Sequence, residues 1–268
     1  MLKPIPIPTT KTDETDRIVY HDTTIDGRRC IVKRNKSHSE FAIDPNTHEV
    51  VAFANLPNCI RNEKAAMDFV RANTCIPVPE VLFYLDEGDR VLLGVEVVEG
   101  IKMDEIQDER DRAKVIEQLD GFVEQLAQHR SPKIKGFAAK ACFSLALTDN
   151  LPRCSLKFVE DHDQGYPLCH GDLHQSNIIV DPETKKAKAV LDWEYCGYYP
   201  DECEPRRYKA GVKDVVCPDG SIVKYRKWGE KAFEALKKYT VDSDDDEWLA
   251  RRADRHLSQR AGDFGYAK

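Results

Sequence analysis

One stretch constrains this chain more than any other. It runs Cys169-His170-Gly171-Asp172-Leu173-His174-Gln175-Ser176-Asn177-Ile178-Ile179-Val180 and is followed by Ala189-Val190-Leu191-Asp192-Trp193-Glu194. The pattern is H-x-D, an Asn five residues after the Asp, an apolar strand, a turn, a second apolar strand and another Asp. Asp172 can accept a proton from a hydroxyl. Asn177 and Asp192 supply hard oxygen ligands, the kind Mg²⁺ prefers when it also binds substrate phosphates. A blander reading makes Asp172 and His174 loop residues and Asp192 an ordinary strand-end Asp. A rival one makes His170, Asp172 and His174 three metal ligands at alternate positions, as in a metal hydrolase. That rival gives Asn177 and Asp192 no job, and no other His/Asp cluster nearby completes its site.

H-G-D-L-H-x-x-N-I-I-V-D followed by L-D-W-E resembles the aminoglycoside phosphotransferase/choline kinase-like family of small-molecule kinases. The Leu-Asp-Trp-Glu wording, in place of Asp-Phe-Gly, points away from protein kinases. Gly197-Tyr198-Tyr199-Pro200 also matches the family's habit, and the likeness covers roughly residues 60–200. It implies an α+β, two-lobed protein-kinase-like fold, with a β-rich N-lobe over residues 1–98 and a mainly helical C-lobe over 99–268. It also implies an ATP- and Mg²⁺-dependent phosphotransferase acting on a hydroxyl of a small molecule. Asp172 would be the catalytic base, with Asn177 and Asp192 on the metal. His170 braces the loop, His174 is structural, Cys169 packs as a small apolar residue, and Trp193 belongs to the core.

Composition limits the alternatives. A length of 268 residues suffices for two lobes with a shared core. A net charge of −7 argues against nucleic acid as a partner. No apolar run of about 18 residues offers a membrane span. The proline-broken start, Met1-Leu2-Lys3-Pro4-Ile5-Pro6, is not expected to be a secretory signal. Nine cysteines, an odd number without a C-x-x-C pair, suggest reduced thiols in the cytoplasm.

Residues 1–16 read as a loose arm. Arg17–Tyr20 and Cys30–Lys33 are β-rich runs around Asp26-Gly27, a hairpin turn signal. In the family such a hairpin would lie over the nucleotide phosphates, although only one glycine is present. Lys33 then resembles the phosphate-neutralising strand lysine, against a plain reading as a solvated edge lysine, and Glu63 would be its partner. Asn62 can cap the helix that carries Glu63, with Ala66, Phe69 and Val70 as its apolar stripe. Residues 34–58 read as an insertion. Val81–Tyr84 and Val91–Val98 are strands split by Asp86-Glu87-Gly88-Asp89. By resemblance, adenine meets main chain near Glu96 and Val98.

Residues 104–129 carry a helical stripe at Ile116, Leu119, Phe122, Val123 and Leu126. Residues 131–168 read as irregular, with Phe158, Asp161 and Asp163 as candidate borders of the acceptor pocket or, more simply, as surface loop. Asp201-Glu202-Cys203-Glu204 would suit a cationic acceptor or a solvated helix start equally. Residues 224–239 read as an amphipathic helix around Trp228, Phe233, Leu236 and Tyr239, and a last helix begins near Trp248 behind an acidic run at 242–247. A different class of protein stays open beside the enzyme: a catalytically weak pseudokinase that binds nucleotide or a partner without turnover.

Overall fold

The computed structural model describes residues 13–14, 18–41, 56–138, 141–148, 164–210, 213–217 and 219–239. The acidic run at 242–247, the helix near Trp248, Phe158, Asp161, Asp163, most of the arm and residues 42–55 of the insertion lie outside them.

The first body is a five-stranded antiparallel sheet of order β1-β2-β3-β5-β4. Its strands are β1 (Asp13–Glu14), β2 (Ile18–Ile25), β3 (Arg28–Asn35), β4 (Val81–Asp86) and β5 (Val91–Glu96). Asp26 and Gly27 both have positive φ, 48° and 78°, the conformation a two-residue hairpin turn requires. The turn sets Tyr20 opposite Lys33 and Ile25 opposite Arg28. Strand alternation then divides the sheet into two faces. Cys30, Val32 and Leu92 pack on one, while Val91 and Leu93 join the main core on the other. Lys33 lies on the core side of a central strand and is only 5% exposed, so it is not a solvated edge residue.

Two expectations about this sheet change. The Asp26-Gly27 turn does not overlie the Lys33 end. Lys33 lies six steps along the strand from Gly27, about 20 Å at strand rise. The turn lies instead at the end where Val97 N–H bonds Arg29 O. At the Lys33 end, β1 pairs with β2 at Tyr20 and Val19, and residues 15–17 between those strands lie outside the described residues. The last strand also stops at Glu96 rather than Val98.

Helix α1 (Leu56–Asn73) packs under the sheet through Ile60, Ala66, Met67 and Val70. It starts six residues before Asn62, so Asn62 is no cap. Its side chain is fully buried in mid-helix. There its amide nitrogen donates to Glu194 O (3.1 Å) and Cys196 O (2.7 Å), and its oxygen accepts from Phe137 N (2.6 Å) and Ala138 N (3.1 Å). Of the presumed insertion, residues 34–41 and 56–58 are described; Arg34 and Asn35 belong to β3 itself and residues 56–58 to α1.

Beyond the sheet come β6 (Ile101–Lys102) and α2 (Glu109–Ala127). Asp108 caps α2 by accepting from Arg110 N and Asp111 N, and Leu119 and Leu126 bury its stripe. Burial of each such leucine stabilises by roughly 1.5–3 kcal/mol. The described parts of residues 131–168 carry more regular structure than their sequence suggests. With the preceding residue they form β7 (Arg130–Ser131), β8 (Lys135–Gly136), the short α3 (Leu145–Thr148) and β9 (Tyr166–Cys169). The hairpin β10 (Ile178–Val180) and β11 (Ala187–Val190) extends a small sheet with β6, and β12 (Gly197–Tyr198) sits between β9 and β8. The pair β13 (Asp214–Val216) and β14 (Ile222–Lys224) leads into α4 (Tyr225–Lys237), which buries Trp228, Phe233 and Leu236 as its pattern predicts. One apolar core joins both bodies, from Ile18 and Val70 to Leu119, Leu168 and Trp193. No described helix is long and apolar enough to cross a membrane.

Candidate active site

The site grows from the end of β9. Cys169 is buried, as is His170 at 0% exposure. Asp172 N–H donates to His170 Nδ1 (3.2 Å), so the proton sits on Nε2, which faces Leu191 O at 3.0 Å. Burial lowers the imidazole to about 4 and keeps it neutral. His170 is therefore a brace between the loop and the chain leading to Asp192. Gly171 has φ +83°, and a Cβ there would meet Tyr195 O at 2.6 Å, so only glycine fits.

Asp172 projects from this loop with an 18% exposed side chain. Arg207 Nη1 donates to its Oδ1 at 2.8 Å, and His174 Nε2 lies 3.7 Å from its Oδ2. Burial pushes the Asp172 carboxyl up to about 6, against the pull of Arg207. Asn177 ends a tight turn. Its Nδ2 donates to Asp172 O (3.2 Å), leaving Oδ1 as the atom suited to a cation, and its main-chain oxygen accepts from Leu191 N (2.8 Å). The loop and the β10–β11 hairpin are thereby tied together just before Asp192.

Asp192 adopts the left-handed region (φ 59°, ψ 61°), which Asp tolerates better than most residues. Trp193 behind it is 1% exposed, with Nε1 donating to Val190 O, a core residue as expected. The Asp192 side chain is 44% exposed, and its Oδ1 lies 3.1 Å from Lys33 Nζ. Lys33 also meets Glu63 Oε2 at 2.7 Å and Glu194 Oε2 at 3.0 Å. Burial works against the lysine's charge, but the three carboxylates outweigh it and hold its pKa well above the ordinary value. Lys33 in turn keeps Asp192 below the usual carboxylate range. Burial, reinforced by the other carboxylates, pushes Glu63 up to about 7. One ammonium faces three carboxylates, so the pocket is two charges negative when all are ionised.

Lys33, Glu63 and Asp192 thus converge on one point, and Asp172 and Asn177 share the adjoining loop. Glu96 and Val98 stand apart. Glu96 donates its N–H to Glu80 O (2.9 Å) and pairs with Arg28 (2.5 Å), and Val98 is half-buried beyond the strand. Among the described residues no cluster of three or more His, Cys, Asp or Glu side chains could hold a metal. An Asn–Asp pair in a negatively charged pocket suits an ion that takes its remaining ligands from phosphate and water.

Three contacts of this site were not read from the sequence. Glu194 was quoted in its motif without a role. Glu204 was placed in an acidic quartet, as an amine contact or a solvated helix start, yet it is 5% exposed. Its Oε2 accepts from His170 N (2.5 Å) and Gly171 N (3.2 Å), so it holds the loop and does neither. Burial pushes its carboxyl up to about 7, despite the two amides. Arg207 carried no signal at all, because nothing in its neighbourhood announces a partner 35 residues away.

The antiparallel sheet over a helix, the buried Lys–Glu pair and the loop–hairpin–Asp sequence define a two-lobed protein-kinase-like fold. The chain belongs to the phosphotransferase enzyme family, whose profile matches residues 15–203. That match takes in the Lys33 hairpin as well as the stretch that first suggested it. Among solved structures, the chain is similar to a thermostable mutant of the aminoglycoside phosphotransferase APH(4)-Ia in ternary complex with AMP-PNP and hygromycin B. The identity is 11% over 70% of this chain, with a TM-score of 0.43. It spans 66% of that structure's length, a little under two thirds. It is also similar to APH(3'')-Id from Streptomyces rimosus, at 16% identity over 85% of this chain and 89% of the other, with a TM-score of 0.44. For the GDP and kanamycin complex of APH(2'')-IIia the figures are 12%, 97%, 96% and 0.46. No curated protein matches the sequence.

Proposed function

We propose that this chain transfers the γ-phosphoryl group of ATP to a hydroxyl of a small molecule, with Mg²⁺ as its metal. The observation that supports this best is the meeting of Lys33, Glu63 and Asp192 within 3.1 Å beside the loop that carries Asp172 and Asn177. Phosphoryl transfer asks for alignment and charge stabilisation more than for covalent help. Lys33, fixed by Glu63, neutralises phosphate charge. Asn177 and Asp192 hold the Mg²⁺, which when bound draws negative charge from the phosphate oxygens. Asp172 orients the acceptor hydroxyl and takes its proton as the oxygen bonds to phosphorus and ADP departs.

Residues 1–98 serve as the nucleotide lobe and residues 99–268 as the lobe of the catalytic loop and acceptor. Adenine meets the main chain at Glu96 and Val98. Since the N–H of Glu96 is committed to Glu80, its carbonyl is the group that serves. The eight described cysteines are all free thiols, in keeping with a cytoplasmic protein.

Calorimetry with Mg·ATP on Asp192→Ala tests the reading. We expect binding or turnover to be lost while the fold survives, because the side chain is 44% exposed and the core does not depend on it. Unchanged affinity together with an unchanged rate sinks the metal assignment.

A further inference from the structure

Arg207 lies beyond residue 203, where the family match ends, yet it touches the proposed base. It is 8% exposed, and its Nη1 sits 2.8 Å from Asp172 Oδ1. Its other side is equally fixed. The guanidinium carbon stands 4.0 Å from the centre of the Tyr225 ring, a cation–π distance. Tyr225 in turn stacks on Trp228, with centroids 5.4 Å apart and planes 3° from parallel. Trp228 is held through Nε1–H to Glu202 O. A ladder of three side chains from the start of α4 and the segment before it therefore sets where the Asp172 carboxylate points.

Resting on the phosphotransferase reading, we propose that Arg207 is a positioning and specificity residue for the acceptor. By occupying Oδ1 it leaves Oδ2 as the atom that receives the hydroxyl proton. By placing a permanent positive charge against the base, it selects acceptors with no cationic group next to the reacting hydroxyl. A bare carboxylate would attract an ammonium to that spot, whereas a carboxylate already neutralised by a buried guanidinium does not. His174 Nε2 lies 3.7 Å from Oδ2, beyond hydrogen-bond distance, so the short charged contact on this carboxylate is the one from Arg207. Cationic groups of the acceptor belong further from the reacting oxygen.

The test follows ADP release from Mg·ATP with three acceptors of matched shape and different charge: glycerol, glycerate and 3-amino-1,2-propanediol. Water, read as basal ATP hydrolysis, is the fourth acceptor. Wild type is compared with Arg207→Met, which keeps bulk without charge, and Arg207→Lys, which keeps charge without the planar fork. Circular dichroism confirms that each is folded.

For Arg207→Met we expect kcat to fall about 10- to 100-fold, with the KM for ATP moved less than about threefold, the pattern for a group that acts only on the transition state. The rate with aminopropanediol relative to glycerol should rise about tenfold or more. Arg207→Lys should restore the charge preference and only part of kcat. If none of the three alcohols is used, the basal rate decides: a drop in kcat alone supports the positioning role. An unchanged basal rate, an unchanged charge preference in Arg207→Met, or a wild type that prefers aminopropanediol overturns the inference. Wild type that neither binds nor hydrolyses Mg·ATP overturns the phosphotransferase reading beneath it.

Discussion

At the scale of single residues, Lys33 and Asp172 make opposite predictions. Lys33 meets three carboxylates, and in the proposed reaction it also meets phosphate in the ground state. Lys33→Met should therefore weaken nucleotide binding and turnover together, by roughly 10²-fold or more in kcat/KM. Normal kcat/KM in that variant would return Lys33 to a structural role. Asp172 acts only as the hydroxyl loses its proton. Asp172→Asn keeps shape and hydrogen bonding, so Mg·ATP affinity measured by calorimetry should stay within a small factor while kcat falls about 10²- to 10⁴-fold. Equal ATP consumption by both proteins, with an acceptor that the wild type uses, would remove Asp172 from the chemistry. Tight nucleotide binding with no turnover by either would favour a pseudokinase.

At the scale of elements, α1 and the loop are held by contacts that local sequence does not announce. Asn62→Ala removes one side chain and leaves four main-chain groups without it, buried ones on residues 194 and 196 and half-buried ones on 137 and 138. At about 1 kcal/mol per lost bond, urea unfolding should show a loss of roughly 4 kcal/mol, and a loss below about 1 kcal/mol would mean that water replaces the side chain. The same comparison shows what was legible. The hairpin at Asp26-Gly27, the β10–β11 hairpin, α2 and α4 follow from period and turn chemistry, which act over a few residues. The loop and its Asp were legible because their spacing is local. Asn62 looked like a cap because capping is what an Asn near a helix start does, and its real partners lie up to 134 residues away. Lys33 and Asp192, 159 residues apart, were joined only by resemblance; for Glu204 resemblance suggested an amine contact instead of the loop amides it holds, and for Arg207 it suggested nothing.

At the scale of the whole molecule, buried and surface carboxylates pull the stability of the fold in opposite directions with pH. Glu204 titrates near 4.5 when unfolded and at about 7 when folded. A raised carboxyl contributes stability below about 4.5 that is lost as the pH climbs through 7, and Glu63 behaves alike. Glu40, held by Arg34 at about 2, is the reverse: its exposed pair adds a small amount above 4.5 and loses it in acid. Urea melts at pH 5 and pH 8 should therefore show wild type losing stability toward pH 8, and Glu204→Gln losing less of it; equal slopes would exclude Glu204 as the cause. The bolting of Asn62 carries one more consequence, because Glu63 is the next residue on the same helix. Drawing Glu63 away from Lys33 means swinging that helix, and the swing would tear Asn62 out of its four anchors on the far side of the cleft. The Lys33–Glu63 pair should therefore stay closed with or without nucleotide, a rigidity that hydrogen exchange along the helix would show.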